Sequence, residues 1–221
     1  MSGVTVIIVA AGEGERFGSP KQFSLLKGKT VLDWSLEKFE KNEAVDDIIL
    51  VLSRLHPGDE YLRKYGKITA IARGGEKRQD SVYAGLLSVN ERQAEVVLIH
   101  DGVRPLVEND LIARIISETL EKNAVVPVIP VEDTIKCVEG RRILRTEERS
   151  QLFRSQTPQG FSYSLIKGAF QKAMDEHFYG TDEASLVERM GKPVFVVTGS
   201  RLNIKITTPE DLKIAEALIG D

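Results

Sequence analysis

The run Val4-Thr5-Val6-Ile7-Ile8-Val9 breaks directly into Ala10-Ala11-Gly12-Glu13-Gly14-Glu15-Arg16-Phe17-Gly18-Ser19-Pro20-Lys21-Gln22. No other stretch constrains the fold so tightly. Its apolar residues are continuous rather than alternating, and most are β-branched, which is the pattern of a strand buried on both faces of a parallel sheet. Residues 4–9 are therefore predicted to be a central strand. Beyond it, Gly12, Gly14 and Gly18 free the backbone, and N–H groups in such a loop can turn inward on an anion. Arg16 offers a planar fork of donors, Lys21 a compact charge on a flexible stem, and Pro20 restricts the chain just ahead of Lys21. Taken alone, the loop reads as a phosphate cradle or as a surface loop with solvated charges. Two common nucleotide templates do not fit it. A dinucleotide fingerprint needs glycine where Phe17 stands, and a Walker-type loop ending at Gly28-Lys29-Thr30 needs glycine where Phe23 stands.

Further apolar runs recur at 48–52, 68–72, 96–99, 124–129 and 194–198, with helical patterns between several of them. Thr30 can cap a helix reaching about Asn42, with Leu32, Leu36 and Phe39 on one face. Helices are also predicted over 81–90 and 109–122. Thr207 or Thr208 can cap a last helix that opens on Pro209, carries Glu210 and Asp211 in its first turn and stops at Gly220. Strands alternating with helices predict an α/β fold with a doubly wound, mostly parallel sheet, and ligands beyond the C-terminal ends of its strands. One stretch breaks the alternation. Residues 134–138 and 143–148 read as two strands around the turn Glu139-Gly140-Arg141-Arg142. A polar hairpin of this kind is marginal in isolation, so it is expected to be an arm, over about 133–156, that packs on a second copy of the chain. The 221 residues are enough for one domain, 1–221, with that arm.

The net charge of −3 argues against bulk binding of nucleic acid or an anionic membrane, but leaves room for a local basic pocket. Cys137 is the only cysteine, so no intrachain disulfide is possible. No apolar stretch reaches about 18 residues, and the chain enters its first strand without a basic segment or cleavage site, which fits a cytoplasmic enzyme.

Five more segments carry chemistry. Gly74-Gly75-Glu76-Lys77-Arg78-Gln79-Asp80-Ser81-Val82 follows a strand and opens a helix. His100-Asp101-Gly102-Val103-Arg104-Pro105 ends another strand. Arg149 leads into Gln156-Thr157-Pro158-Gln159-Gly160-Phe161, and Thr181-Asp182-Glu183-Ala184-Ser185 precedes a helix. The chain closes on Asn203-Ile204-Lys205-Ile206-Thr207-Thr208-Pro209-Glu210-Asp211-Leu212, where Lys205 alternates with two isoleucines and faces opposite them. Together with the opening loop these segments, in this order, resemble the 2-C-methyl-D-erythritol 4-phosphate cytidylyltransferases of the non-mevalonate isoprenoid pathway. The chain departs from that pattern at Gly102-Val103, where the family usually has two alanines.

The resemblance implies a Rossmann-like nucleotidyltransferase fold. It also implies transfer of CMP from CTP to 2-C-methyl-D-erythritol 4-phosphate, with release of pyrophosphate. Ala10, Ala11, Gly12, Gly75, Arg78 and Ser81 would bind the nucleotide. Arg16 and Lys21 would hold its phosphates, and Lys205 with Arg149 would hold the incoming phosphate, Arg149 reaching over from the partner subunit of a homodimer. Asp101, Arg104, Thr157 and Thr181 would line the polyol phosphate pocket. Mg2+ would bridge the triphosphate, largely through phosphate oxygens and water, and Asp101 could hold substrate hydroxyls or sit near the ion. The attacking phosphate oxygen is already ionised at neutral pH, so no general base is needed, and His100 is expected to be structural. A ribitol 5-phosphate cytidylyltransferase and a non-catalytic nucleotide-binding protein of the same fold are the rival readings.

Overall fold

The structure is a computed structural model and describes residues 3–14 and 17–220. The chain runs through β1 (Gly3–Ala10), β2 (Leu25–Leu26), β3 (Lys29–Thr30), α1 (Val31–Glu40), β4 (Asp47–Leu52), α2 (Asp59–Lys64), β5 (Ile68–Arg73), α3 (Arg78–Leu86) and β6 (Ala94–Asp101). It continues through α4 (Asn109–Lys122), β7 (Ala124–Pro130), β8 (Lys136–Glu139), β9 (Arg142–Thr146), β10 (Phe153–Ser155), β11 (Gln159–Ser162), α5 (Tyr163–Asp175), α6 (Glu183–Arg189), β12 (Phe195–Thr198) and α7 (Pro209–Ile219).

β1 is the centre of an eight-stranded sheet, parallel to β4 on one side and to β6 on the other. Its residues serve both faces. Val4, Val6 and Ile8 pack with Leu32, Leu36 and Phe39 of α1 and Leu111, Ile112 and Ile115 of α4. Ile7 packs on the opposite side with Val82 and Leu86 of α3 and Phe170 of α5. That two-sided burial explains why the run is apolar without alternation. β5 extends the parallel part beyond β4. Beyond β6 the direction changes: β11 runs antiparallel to both β6 and β7, β10 is antiparallel to β7, and β12 is parallel to it. This is an α/β fold whose sheet is parallel at its centre and mixed at one edge.

The predicted strands all form. Thr30 caps α1 through the Asp33 N–H, and Thr208 caps α7 in a reciprocal pair with Asp211. The helix expected over 81–90 is displaced. It runs from Arg78 to Leu86, because the Asp80 carboxylate accepts from the Lys77 N–H at 3.0 Å and closes the helix start there. Ser81 is therefore inside the first turn and does not cap it. The hairpin forms as β8 and β9 around Gly140 and Arg141, shorter than the expected strands, with a register irregularity at Cys137/Val138. It joins no strand of the main sheet. Val138, Ile143 and Leu144 are exposed on it. Among the described residues no helix is long and apolar enough to cross a membrane.

Candidate active site

Two clefts open side by side at the C-terminal ends of the central strands. The larger, about 960 Å3, is walled by Ala10, Ala11, Gly12, Glu13, Gly14 and Lys21 after β1, by Ser53, Arg54 and Leu55 after β4, and by the segment 74–78 with Ser81 after β5. Glycine and alanine recur along it, at Ala10, Ala11, Gly12, Gly14, Gly74 and Gly75. Gly14 has φ +74°, and a Cβ there would sit 1.8 Å from the Ser19 carbonyl oxygen, so only glycine closes this turn. Gln22 is buried, and its side-chain amide donates to the carbonyls of Ala10 and Gly12, both at 2.9 Å. That pins the loop to the end of β1. A Cβ on Gly74 would meet the Cβ of Ala11 at 2.3 Å, so the two walls approach as closely as glycine allows. The Ser81 hydroxyl accepts from the Gly75 N–H and reaches back to the Lys77 carbonyl, each at 3.2 Å, so it shapes the Gly74-Gly75 turn. Lys21 begins a single 3-10 turn at the cleft wall. Arg16, the loop's other expected cation, lies outside the described residues.

The smaller cleft, about 280 Å3, is built from side chains: Arg78, Asp101, Arg104, Ser155, Gln156, Thr157, Gln159, Thr181, Asp182 and Lys205. Asp101, at the last position of β6, is its hub. Arg78 Nε donates to Oδ1 at 3.0 Å, Lys205 Nζ lies 2.8 Å from Oδ2, and Arg104 Nε lies 3.6 Å from Oδ2. Burial works to raise the carboxyl pKa. The charges of Arg78, Lys205 and Arg104 overcome it and hold Asp101 well below the usual carboxylate range, so it is ionised. Asp101 thus does not stand open for substrate hydroxyls. Its oxygens organise three cations. Arg104 also ties the turn to the closing segment, donating from Nη1 to the Asn203 carbonyl at 2.8 Å.

A buried frame holds the hub in place. His100 Nε2 lies 3.2 Å from the Arg104 carbonyl, an acceptor only, so Nε2 carries the proton. Nδ1 then accepts from the Thr157 hydroxyl at 3.2 Å, and that hydroxyl accepts from the Asp101 N–H at 3.0 Å. Burial lowers the His100 pKa to about 3, so the ring is neutral, a structural histidine as expected. Thr157 lines the smaller cleft, with both sides of its hydroxyl engaged within the frame. Asn203 donates to the Thr157 carbonyl at 2.8 Å, and Gln156 donates to the carbonyls of Ser200 and Asn203. Thr181 is exposed at the rim. Beside it Asp182 caps α6 and accepts from Gln159 Nε2 at 2.8 Å.

Arg149 stands apart. It begins a 3-10 turn at the foot of the hairpin, donates to the Glu132 carbonyl and lines neither cleft of its own chain. The sequence reading missed Gln22, Gln156, Gln159, Asn203 and Glu183. All lie inside or beside segments already singled out, but amides and a buried glutamate carry no local pattern that marks them. Glu183 is 1% exposed and pairs with Arg78 Nη1 at 2.6 Å. Burial raises its pKa above the ordinary carboxylate value against the pull of Arg78.

Comparison with known proteins points one way. The family described as IspD: 2-C-methyl-D-erythritol 4-phosphate cytidylyltransferase matches residues 4–221. A 2-C-methyl-D-erythritol 4-phosphate cytidylyltransferase of Bacillus cytotoxicus is 47% identical, with 97% of each chain covered. One of Clostridioides difficile is 42% identical, covering 98% of this chain and 93% of the relative. The crystal structure of the Francisella tularensis 2-C-methyl-D-erythritol 4-phosphate cytidylyltransferase superposes with a TM-score of 0.86 at 34% identity, over 98% of this chain and 99% of that one.

Proposed function

Since the chain belongs to the 2-C-methyl-D-erythritol 4-phosphate cytidylyltransferase family, we propose that it transfers CMP from CTP to 2-C-methyl-D-erythritol 4-phosphate, giving 4-diphosphocytidyl-2-C-methyl-D-erythritol and pyrophosphate. The observation that carries this reading is the pair of adjoining clefts. One is walled by two glycine- and alanine-rich turns with Lys21 beside them and suits a nucleoside triphosphate. The other is polar, cationic and of a size for a small polyol phosphate.

The substrates are both polyanions, and the barrier is largely their approach. Two like charges about 4 Å apart repel by about 4 kcal/mol at an effective dielectric near 20. Group transfer of this kind is mainly positioning and charge stabilisation. In our reading the base lies against Ala10, Ala11, Gly12, Gly75 and the turn that Ser81 shapes. Lys21, together with Arg16, holds the triphosphate and steadies the charge that builds on the leaving pyrophosphate. Lys205 exchanges Asp101 for the incoming phosphate and aims its oxygen at the α-phosphorus. Asp101 keeps Arg78 and Arg104 in place while this happens, and Thr181 meets the polyol at the rim.

Mg2+ fits this cleft as a companion of the nucleotide. Among the described residues no group of three acidic, histidine or cysteine side chains can cage a metal, and both oxygens of Asp101 are engaged by cations. Bound through phosphate oxygens and water, the ion would neutralise part of the triphosphate's charge. Arg149 completes the polyol site of a second subunit in our reading. The support is its place at the foot of a hairpin whose Val138, Ile143 and Leu144 are exposed, and its absence from its own chain's clefts. Residues 1–221 would act as one catalytic domain with that arm, in the cytoplasm where CTP is at hand, with no role for nucleic acid or membrane.

The test is a panel of CTP, UTP and ATP against 2-C-methyl-D-erythritol 4-phosphate and ribitol 5-phosphate, read by pyrophosphate release. The reading expects turnover with CTP and the methylerythritol phosphate to exceed every other pair. Preference for ribitol 5-phosphate would transfer the assignment to that substrate, and no pyrophosphate with any pair would remove the catalytic reading.

A further inference from the structure

Three side chains belong to both clefts: Arg78, Asp101 and Lys205. Asp101 and Lys205 engage each other across the join. Arg78 is held differently. Its guanidinium is gripped from two sides, by Asp101 Oδ1 at Nε and by Glu183 Oε1 at Nη1, at 3.0 and 2.6 Å. Both carboxylates are buried, while the arginine side chain keeps 30% of its surface. Nη2 is the part of the fork that takes no part in these two hydrogen bonds. The elements that carry these groups are fastened together as well. Gln79, next in sequence to Arg78, donates to the Phe178 carbonyl at 3.0 Å and accepts from the Gly180 N–H at 2.9 Å, which ties the start of α3 to the loop bearing Thr181.

We propose that Arg78 is a seam residue whose Nη2 donates to the phosphate oxygens lying between nucleotide and polyol, and that Glu183 is the positioning residue that aims it. The proposal rests on the cytidylyltransferase reading, and it moves Arg78 from the cytidine contacts, where the sequence resemblance places it, to the join between the two substrates. A guanidinium fixed by two carboxylates has surrendered its side-chain freedom before any ligand arrives, so little is lost when it binds. Glu183 supports the assignment from behind. Its Oε2 is buried without a hydrogen-bond partner among the described residues, and a buried carboxylate left half-satisfied is rare enough in a native fold to call for a reason. Aiming Arg78 is that reason. Glutamine at 183 would still accept from Nη1 and would lose only the charge.

A contact made at the join exists only when both substrates are in place, so its loss falls on the chemical step and not on either binding step. The experiment compares the wild type with Arg78→Lys and Glu183→Gln. CTP affinity is measured without polyol phosphate, and steady-state turnover with it. Wild-type pyrophosphate release checks the underlying reading by itself, and its absence would overturn that reading and the seam with it. With an active wild type, CTP affinity is expected to stay within about twofold in both variants. In contrast, kcat is expected to fall roughly 30-fold in Arg78→Lys and roughly fivefold in Glu183→Gln. A loss of CTP affinity as large as the loss in kcat/KM would put Arg78 on the nucleotide and overturn the proposal. So would an unchanged kcat per folded molecule in both variants, which would make the cluster purely structural. Thermal unfolding identifies the folded protein, and Glu183→Gln, the milder change, decides the question if Arg78→Lys does not fold.

Discussion

The two clefts lie side by side and are built from different material. The larger is rich in small residues, glycines and alanines at 10–14 and 74–75, with Gln22 and Ser81 locking those two turns. The smaller is a side-chain structure, an ion network around Asp101 held by the Thr157–His100 frame. In the proposed reading, the difference follows from what each would bind. A long triphosphate needs many donors spread along a path, which a turning backbone supplies cheaply. A small phosphate with hydroxyls needs a few strong groups at fixed points, and those must come from side chains, whose charges have to neutralise one another when the site is empty.

The comparison can be broken most severely at Lys21. If the nucleotide half stabilises the leaving pyrophosphate, Lys21→Ala should lower kcat about a thousandfold, some 4 kcal/mol of transition-state stabilisation. KM for the polyol phosphate should stay within a few-fold. The same loss appearing in KM alone would mean uniform binding and no role in the transition state.

Arg149 tests whether the second half is complete within one chain. Arg149→Ala should lower kcat/KM for the polyol phosphate about a hundredfold, as expected for a charge-assisted phosphate contact. If the arm crosses to a two-fold partner, mixing Arg149→Ala with Lys21→Ala subunits should restore about a quarter of wild-type activity, since half the dimers are hybrids with one intact site each. No recovery would place both residues in a site built by one subunit alone.

His100 sharpens the comparison at the smallest scale. Its folded pKa is depressed, from 6.5 to about 3. The unfolded chain therefore binds the extra proton first as pH falls, and the stability that His100 contributes is present above about 6.5 and is lost steadily toward pH 3. Between pH 6.5 and 4.5 the loss should be roughly 2–3 kcal/mol. Glu183, with its raised pKa, works in the opposite direction. The diagnostic is therefore the difference between wild type and His100→Asn in denaturant titrations across that range. The variant should be less stable at pH 7.5 and show a flatter decline. Parallel curves would mean that His100 does not carry the pH dependence.

The glycine-rich half was legible because consecutive residues build it. A two-sided strand and its glycine loop occupy residues 4–22, and their physics can be read locally. The start of α3 was misplaced because Ser81 is a better cap by residue type than Lys77, while the closing group is Asp80 reaching back three residues. The side-chain half is scattered over 78, 101, 104, 155–159, 181–183 and 205, and only the family resemblance gathered most of it. Even so, the resemblance treats Asp101 as a substrate contact, whereas the fold surrounds it with three cations. Glu183 was invisible because a buried glutamate on a short helix differs from a solvated one only through its partner, 105 residues away in sequence. β11 and its antiparallel insertion were also missed, since Pro158 and Gly160 read as turn residues.

The central claim is that the two clefts bring a nucleotide's α-phosphorus and a second phosphate together at their shared wall. Phosphorus NMR of the protein with CTP, Mg2+ and 2-C-methyl-D-erythritol 4-phosphate tests it directly. The account predicts a coupled pair of diphosphate-diester resonances growing in step with pyrophosphate, and neither signal without the polyol phosphate. Orthophosphate and CDP, or pyrophosphate that forms without the polyol phosphate, would contradict it.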